Sequence, residues 1–188
     1  MKKHFLFSIL CLIPFLAFSQ KKSIDGFLDI SFGSDSATVK AAMTTRGAVR
    51  DTQSKRDLLV YNNFIMSDRK VAYAFFYFLN NKAYEAFFVF TSDFTENDIF
   101  SYYDNFSSDI TAVYGKGEMT NNFVNNNSIN LRRLKEGNAS CKTDWVSKNK
   151  NAIELSFRAL DHQDVQIILD YQDTELYNMI INKRRSDL

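Results

Sequence analysis

The sequence predicts an α+β fold in which an antiparallel sheet carries its helices on one side. Segments with helical spacing of apolar residues alternate with groups of short, β-prone segments, in the order helix, three strands, helix, three or four strands, helix. Two aromatic runs, Val71–Leu79 and Lys82–Phe90, are separated only by Asn80 and Asn81, which is typical of an antiparallel hairpin. The order also suggests a duplicated αβββ unit, with helices starting near residues 35 and 95.

The first segment, Met1–Gln20, has the pattern of a secretory signal peptide. Two lysines precede an almost unbroken apolar run, Phe5–Phe18, and small residues follow at a cleavage site near Ser19 and Gln20. We therefore expect a periplasmic or secreted protein whose mature part, residues 21–188, is one domain. No second long apolar segment follows, so we expect no transmembrane segment.

The mature chain begins with a predicted helix and a strand. Ser34 or Asp35 can cap a helix whose apolar residues follow at helical spacing, and Gly47 suits the left-handed residue that ends it. A polar stretch then leads into a strand predicted over Leu58–Met66.

A two-residue hairpin loop fixes the register of the aromatic runs. It predicts that Tyr77 lies opposite Tyr84 and Phe75 opposite Ala86. One predicted face then carries Val71, Tyr73, Phe75, Tyr77, Leu79, Tyr84, Phe88 and Phe90. The other carries Glu85, opposite Phe76. Because both faces are mostly apolar, we expect these strands to lie in the middle of the sheet.

The second half repeats the pattern. Thr95 and Asp98 resemble a capping box before an amphipathic helix that ends at Gly115, and the Asn-rich stretch Asn121–Asn130 is predicted to be a loop or a loose strand edge. The remaining predicted elements are strands over Leu131–Leu134, Lys142–Lys148, Ala152–Leu160 and Val165–Tyr171, and a final helix capped by Asp173 that runs through Asn182.

Short structural signals between Phe27 and Lys116 carry a family resemblance. They are Phe32-Gly33-Ser34-Asp35-Ser36, Val39-Lys40, Gly47, the Tyr61 to Phe64 strand, the Phe75–Leu79 strand, the Asn80-Asn81-Lys82 turn and Tyr114-Gly115-Lys116. In these, the chain resembles small exported proteins of the Bacteroidota whose helix-plus-sheet units are similar to the β-lactamase-inhibitor-protein-like fold. The resemblance implies that fold and an envelope location, and members of such fold groups bind proteins or help to assemble the envelope.

The residues that most reactions require are scarce. The mature chain keeps one cysteine, Cys141, and one histidine, His162, so it has no zinc or copper ligand set and no intramolecular disulfide, and we expect no cofactor. Removing the leader leaves acidic and basic residues nearly balanced, which argues against a nucleic-acid partner. A calcium site at Asp161 and Asp164, or a Cys141–His162 catalytic pair, stays open, but a solvated turn and a buried cysteine are the simpler interpretations.

Tyr73, Tyr77 and Tyr84 are the candidate binding residues, because tyrosine is favoured where an apolar surface meets a partner. Packing of the same face against the helices is the alternative. We therefore interpret the chain as an exported, non-catalytic binding module for another envelope protein or a glycan. The second interpretation is a small periplasmic hydrolase that uses carboxylates around Glu85, whose pKa burial would raise. The third is a structural protein of the envelope without a discrete ligand.

Overall fold

The computed structural model describes residues 21–90, 98–160 and 164–186, and its architecture is the α+β fold that the sequence predicts. The predicted leader lies outside the described residues. In chain order the elements are β1 (Gly26–Phe27), β2 (Ile30–Ser31), α1 (Ser36–Thr45), β3 (Val49–Arg50), β4 (Leu58–Met66), β5 (Arg69–Leu79), β6 (Lys82–Phe90), α2 (Ile99–Tyr114), β7 (Glu118–Asn121), α3 (Asn127–Lys135), β8 (Cys141–Val146), β9 (Ala152–Leu160), β10 (Asp164–Gln172) and α4 (Thr174–Ser186).

Within the described residues, eight strands form one antiparallel sheet in the order β3-β4-β5-β6-β10-β9-β8-β7, and β1 pairs with β2 in a separate two-stranded sheet. Each half of the sheet is a four-stranded meander that follows a helix: α1 precedes β3 to β6, and α2 precedes β7 to β10. The halves join where β6 pairs with β10. The repeated unit thus has four strands rather than the predicted three, because the short outer strands β3 and β7 lack the β-prone runs that mark the others.

The helices α1, α2 and α3 contribute their apolar side chains to one core on one face of the sheet. These side chains include Val39, Met43, Ile99, Tyr103, Phe106, Ile110, Leu131 and Leu134. Tyr103 stacks on Phe157 with ring centroids 4.5 Å apart, and its buried hydroxyl donates to the Leu155 carbonyl at 2.8 Å. Because a buried phenol needs such a partner, this bond fixes α2 over β9.

Local caps explain where α1 begins and ends and where α4 begins. Asp35 accepts a hydrogen bond from the Thr38 amide at 2.8 Å, as predicted, and Gly47 follows α1 with φ +69°. Asp173 accepts from the Leu176 amide at 3.0 Å at the start of α4. At the start of α2 the Asp98 side chain makes no capping hydrogen bond, and Thr95 of the predicted capping box lies outside the described residues. No helix in the described ranges has both the length and the apolar content needed to cross a membrane.

The prediction of a loop over Asn121–Asn130 and a strand over Leu131–Leu134 is wrong from residue 127 onward, because α3 occupies Asn127–Lys135. Asn121 ends β7, and residues 122–126 are irregular, as predicted. The Asn126 side chain accepts from the Ile129 amide at 3.0 Å and caps α3, and the buried Asn130 carboxamide bonds both backbone groups of Val124. Leu131 and Leu134 are spaced to reach the core from a helix. Asn126 therefore caps α3, and Asn130 holds the preceding segment through its bonds to Val124. An asparagine-rich sequence is more typical of loops.

The predicted hairpin register is wrong by one residue beyond the turn. Tyr77 pairs with Glu85 and Phe78 with Ala83, so Tyr84 is the extra residue of a β-bulge. Phe75 consequently lies opposite Phe87, not Ala86. A second irregularity lies between Val71 and Tyr73.

A register shift of one residue moves a side chain to the opposite face of the sheet. Phe88 and Phe90 therefore join Phe76 in the helix-covered core, and they do not share a face with Tyr73 as predicted. Glu85 pairs with Tyr77 rather than with Phe76. The strands β5 and β6 nevertheless occupy inner positions of the sheet, as their apolar composition predicts.

Candidate binding surface

The face of the sheet opposite the helix-covered core carries an aromatic surface, which we call the tyrosine face. It consists of Tyr73, Phe75, Tyr77, Tyr84 and Phe87. Their rings form two groups: Tyr73, Phe75 and Phe87 with centroids 6.3 and 6.0 Å apart, and Tyr77 and Tyr84 with centroids 6.3 Å apart. The structure thus brings all three predicted binding residues to one side of the sheet.

The three predicted tyrosines differ in exposure. Tyr73 is 44% exposed, Tyr77 is half-buried, and Tyr84 is only 8% exposed. The Tyr84 ring lies between Tyr77 and Tyr177 of α4, whose ring centroid is 6.5 Å away. Packing against Tyr77 and α4 therefore accounts for an aromatic residue at position 84, whereas the side chain of Tyr73 is available to a partner.

Three buried aliphatic side chains lie on the same face of the sheet as the aromatic rings. Val60, Val89 and Ile168 are each at most 7% exposed, and none belongs to the core under the helices. The ladder pairs Tyr73 with Val89, and Val89 with Ile168. The aromatic rings therefore share their face of the sheet with buried aliphatic side chains.

Two carboxyl groups lie beside the tyrosine face. Asp170 of β10 pairs with Phe87 on one side and with Glu154 on the other, while Glu85 lies next to the bulge. Asp170 Oδ1 is buried and has no hydrogen-bond partner in the described part of the chain. The guanidinium of Arg158 lies over the Phe87 ring, 5.2 Å from its centroid.

Burial controls the protonation of these carboxyl groups. Burial, with the negative charges of Glu85 and Glu154 adding to it, raises the pKa of Asp170 to about 8, although Arg158 opposes the shift. Burial also raises the pKa of Glu85. Asp170 is therefore mostly protonated near neutral pH, and its hydroxyl can donate a hydrogen bond to a ligand.

Farther along the same face, exposed charges are paired. Lys142 Nζ lies 3.0 Å from an Asp144 oxygen and 3.1 Å from a Glu154 oxygen. Hydrogen bonds to these two carboxylates raise the pKa of Lys142. The carboxylates of Asp144 and Glu154 thus have a cationic partner, whereas Asp170 Oδ1 has no hydrogen-bond partner among the described residues.

The other predicted chemical groups do not form a site in the described residues. Cys141 is buried, as predicted, and burial raises the pKa of its thiol. His162 and Asp161 lie outside the described residues, so the Cys141–His162 pair and the calcium turn stay predictions. Within the described ranges, no three His, Cys, Asp or Glu side chains are placed to hold a metal ion.

Sequence reasoning missed Asp170, Phe87 and Arg158 as parts of this surface. A signal for Asp170 exists, because it is the one charged residue between Ile167 and Tyr171 in a predicted strand. Charge in such a run indicates either a sheet edge or a site. Deciding between them requires the pairing of β10 with β6, which joins the two halves of the chain.

Comparisons with known proteins give no assignment: no family model, no curated protein and no solved structure matches this chain.

Proposed function

We propose that this protein is an exported, non-catalytic binding module of the bacterial envelope, and that it engages another protein through the tyrosine face. Export rests on the predicted leader, Met1–Gln20. The observation that carries the binding site is the group of Tyr73, Phe75 and Phe87, with Tyr73 exposed, on the side of the sheet that α1, α2 and α3 do not cover. The helix α4 packs against this side at Tyr84. A glycan is the alternative ligand.

The physical chemistry of the face favours a protein ligand. Tyrosine, phenylalanine and arginine are enriched at protein interfaces, and all three occur here as Tyr73, Phe75 and Arg158. Aromatic rings give large contact area for a small loss of rotamer entropy. The protonated Asp170 and the nearby Glu85 add polar groups that fix the orientation of a partner.

The test compares two substitutions of similar exposure on opposite sides of the protein. Tyr73→Ser removes an aromatic ring from the tyrosine face, and Val113→Ser removes a side chain that is 45% exposed on α2. We expect Tyr73→Ser to weaken binding of the captured partner about 5- to 30-fold, as loss of a central aromatic does, and Val113→Ser to leave it unchanged. Equal affinities for both variants would show that the site lies elsewhere.

Tyr77 and Tyr84 are tested with milder changes, because both are partly or fully buried. Tyr77→Phe and Tyr84→Phe retain the rings and remove the hydroxyl groups. Thermal unfolding of each variant separates a loss of binding from a loss of fold. If substitution of all three tyrosines left every affinity unchanged, this assignment of the site would be wrong.

A small periplasmic hydrolase is the second candidate function, and the neighbouring carboxyl groups of Asp170 and Glu85 favour it. One acid held protonated beside a second carboxyl group is the arrangement that acid–base catalysis uses. A hydrolase screen of the mature chain tests this candidate, with Asp170→Asn and Glu85→Gln as the variants. Hydrolysis that both substitutions abolish would replace the binding proposal. If the screen detects no hydrolysis and no saturable ligand is found either, the third interpretation, a structural protein of the envelope, is favoured.

A further inference from the structure

A cleft on the helix side of the sheet concentrates positive charge. Its volume is about 930 Å³, and Lys40, Arg50, Lys55 and Arg56 line it together with a single carboxylate, Asp57. We call it the basic cleft. Its floor includes the core residues Leu59 and Phe78, so it lies on the opposite face of β4 and β5 from the tyrosine face.

The four cations of the basic cleft come from separate parts of the chain. Lys40 lies on α1, Arg50 on β3, and Lys55 and Arg56 in the connection to β4. The whole chain has a formal net charge of only +1. Four cations against one carboxylate in a single cleft are therefore a local concentration of charge, and the low-dielectric wall beneath them strengthens their field.

These four side chains have no ion pair or side-chain hydrogen bond with any described residue. Arg46 pairs with Asp29 and Lys142 with Asp144 and Glu154, whereas scattered exposed lysines such as Lys70 and Lys116 have no such partner among the described residues either. A cluster of like charges costs folding free energy through repulsion, which a bound anion would relieve. The distinguishing feature of the cleft is that four unpaired cations line one cavity with a single carboxylate, so a ligand that supplies negative charge would suit it.

Backbone hydrogen bonds fix the connection that carries the cations. The Asp51 amide donates to the Val60 carbonyl at 2.8 Å, and the Lys55 amide donates to the Leu58 carbonyl at 2.6 Å. Ser54 Oγ bonds both backbone groups of Val60. The cationic side chains therefore project from a braced segment, which lowers the entropy lost when they bind.

The opposite rim of the basic cleft is braced as well. The Asn81 side-chain oxygen accepts a hydrogen bond from the Ser36 amide at 3.2 Å, and the Phe78 amide donates to the Asp57 carbonyl at 3.0 Å. These bonds tie the β5–β6 turn to the start of α1 and to the Arg56–Asp57 segment. The cleft is a preformed cavity between three elements, in the size range of small-molecule sites.

We propose that the basic cleft binds a molecule that carries two or more phosphate groups. Two arginines offer planar forks that match phosphate oxygens, and two lysines add point charges. A single phosphate would satisfy only part of this set, and the cavity is larger than one phosphate requires. The ligand is either a free phosphorylated small molecule or a phosphorylated lipid headgroup, since both present the same group.

The experiment measures binding of inorganic tripolyphosphate to the mature chain by titration calorimetry. In a second arm, neutral phosphatidylcholine vesicles with and without cardiolipin, whose headgroup carries two phosphate groups, test the lipid source. The test variant is Arg50→Gln/Arg56→Gln, and the matched control is Lys70→Gln/Lys116→Gln, which removes the same charge at exposed positions away from the cleft. Thermal unfolding checks that both variants fold.

We expect saturable binding in at least one arm, weakened at least about tenfold by the arginine substitutions and less than about twofold by the lysine control. Binding to the anionic vesicles indicates a lipid headgroup, and binding to tripolyphosphate without binding to the vesicles indicates a free phosphorylated molecule. No binding in either arm, or equal weakening by both variants, would overturn the proposal. Citrate that binds as tightly as tripolyphosphate would overturn the assignment to phosphate. None of these results bears on the tyrosine face, because the two sites are on opposite faces.

Discussion

Replacing Asp170 with asparagine changes how the stability of the protein depends on pH. In the folded state Asp170 is largely buried between Phe87 and Glu154, and its Oδ1 has no partner within the described residues. Burial raises its pKa from 3.8 to about 8. In the unfolded chain the same carboxyl group titrates near 3.8, so the folded protein holds a proton that the unfolded chain has released.

The direction and size of the effect follow from this difference. Because the folded state binds the proton more tightly, the contribution of Asp170 to stability is full below about pH 4 and is lost as the pH rises toward 8. At 1.36 kcal/mol for each pKa unit, the total loss has a ceiling of about 6 kcal/mol. Asparagine cannot ionise, but its amide needs hydrogen-bond partners, which costs about 1–3 kcal/mol at every pH.

The assay is urea unfolding of both proteins at about pH 4 and about pH 9. Between these pH values, Asp170→Asn should gain at least about 2 kcal/mol of unfolding free energy relative to the wild type. Asp164→Asn, at an exposed position of the same strand, should change stability by less than about 0.5 kcal/mol at either pH. An identical pH dependence in Asp170→Asn and wild type would refute the burial argument.

Three further substitutions or modifications test the packing. Tyr103→Phe removes the hydroxyl that donates to the Leu155 carbonyl, and it should cost about 1–3 kcal/mol in urea unfolding; no loss would mean that this bond does not hold α2. Asn126→Ala removes the cap of α3 and should cost about 1 kcal/mol, whereas an unchanged midpoint would argue against the cap. Cys141 should react slowly with a thiol reagent in the native protein and rapidly in urea, and rapid stoichiometric labelling of the native protein would contradict its burial.

Local signals were sufficient for much of the fold. Asn80 and Asn81 have φ values of 50° and 62°, as the predicted tight turn requires, and Asp35 caps α1 as predicted. The limits of β4, Leu58–Met66, match the predicted strand. These features depend on neighbouring residues in the sequence, so the sequence pattern is enough to place them.

The candidate site depends on features that no local pattern specifies. The bulge at Tyr84 moves every residue after it to the other face, and no glycine or proline marks it. The alternation rule consequently placed Phe88 and Phe90 beside the tyrosines. The burial of Asp170 depends on the pairing of β10 with β6, which are separated by more than seventy residues in the chain.

The basic cleft has the same origin. Its cations lie between residues 40 and 56, but only the folding of the Arg50–Asp57 connection against α1 and the β5–β6 turn encloses a cavity. The sequence shows this segment as polar, which is equally typical of a solvated loop. The sequence alone does not show which charged side chains lack an ion-pair partner, because this depends on their neighbours in the folded protein.

The most direct test of the central claim is crosslinking affinity capture with residues 21–188 as bait, from envelope and secreted fractions of the source organism, followed by titration of the captured partner. The account predicts one specific, saturable partner whose affinity falls about 5- to 30-fold with Tyr73→Ser and is unchanged with Val113→Ser. A saturable partner that binds the wild type and Tyr73→Ser with equal affinity would contradict the claim that the tyrosine face is the binding site.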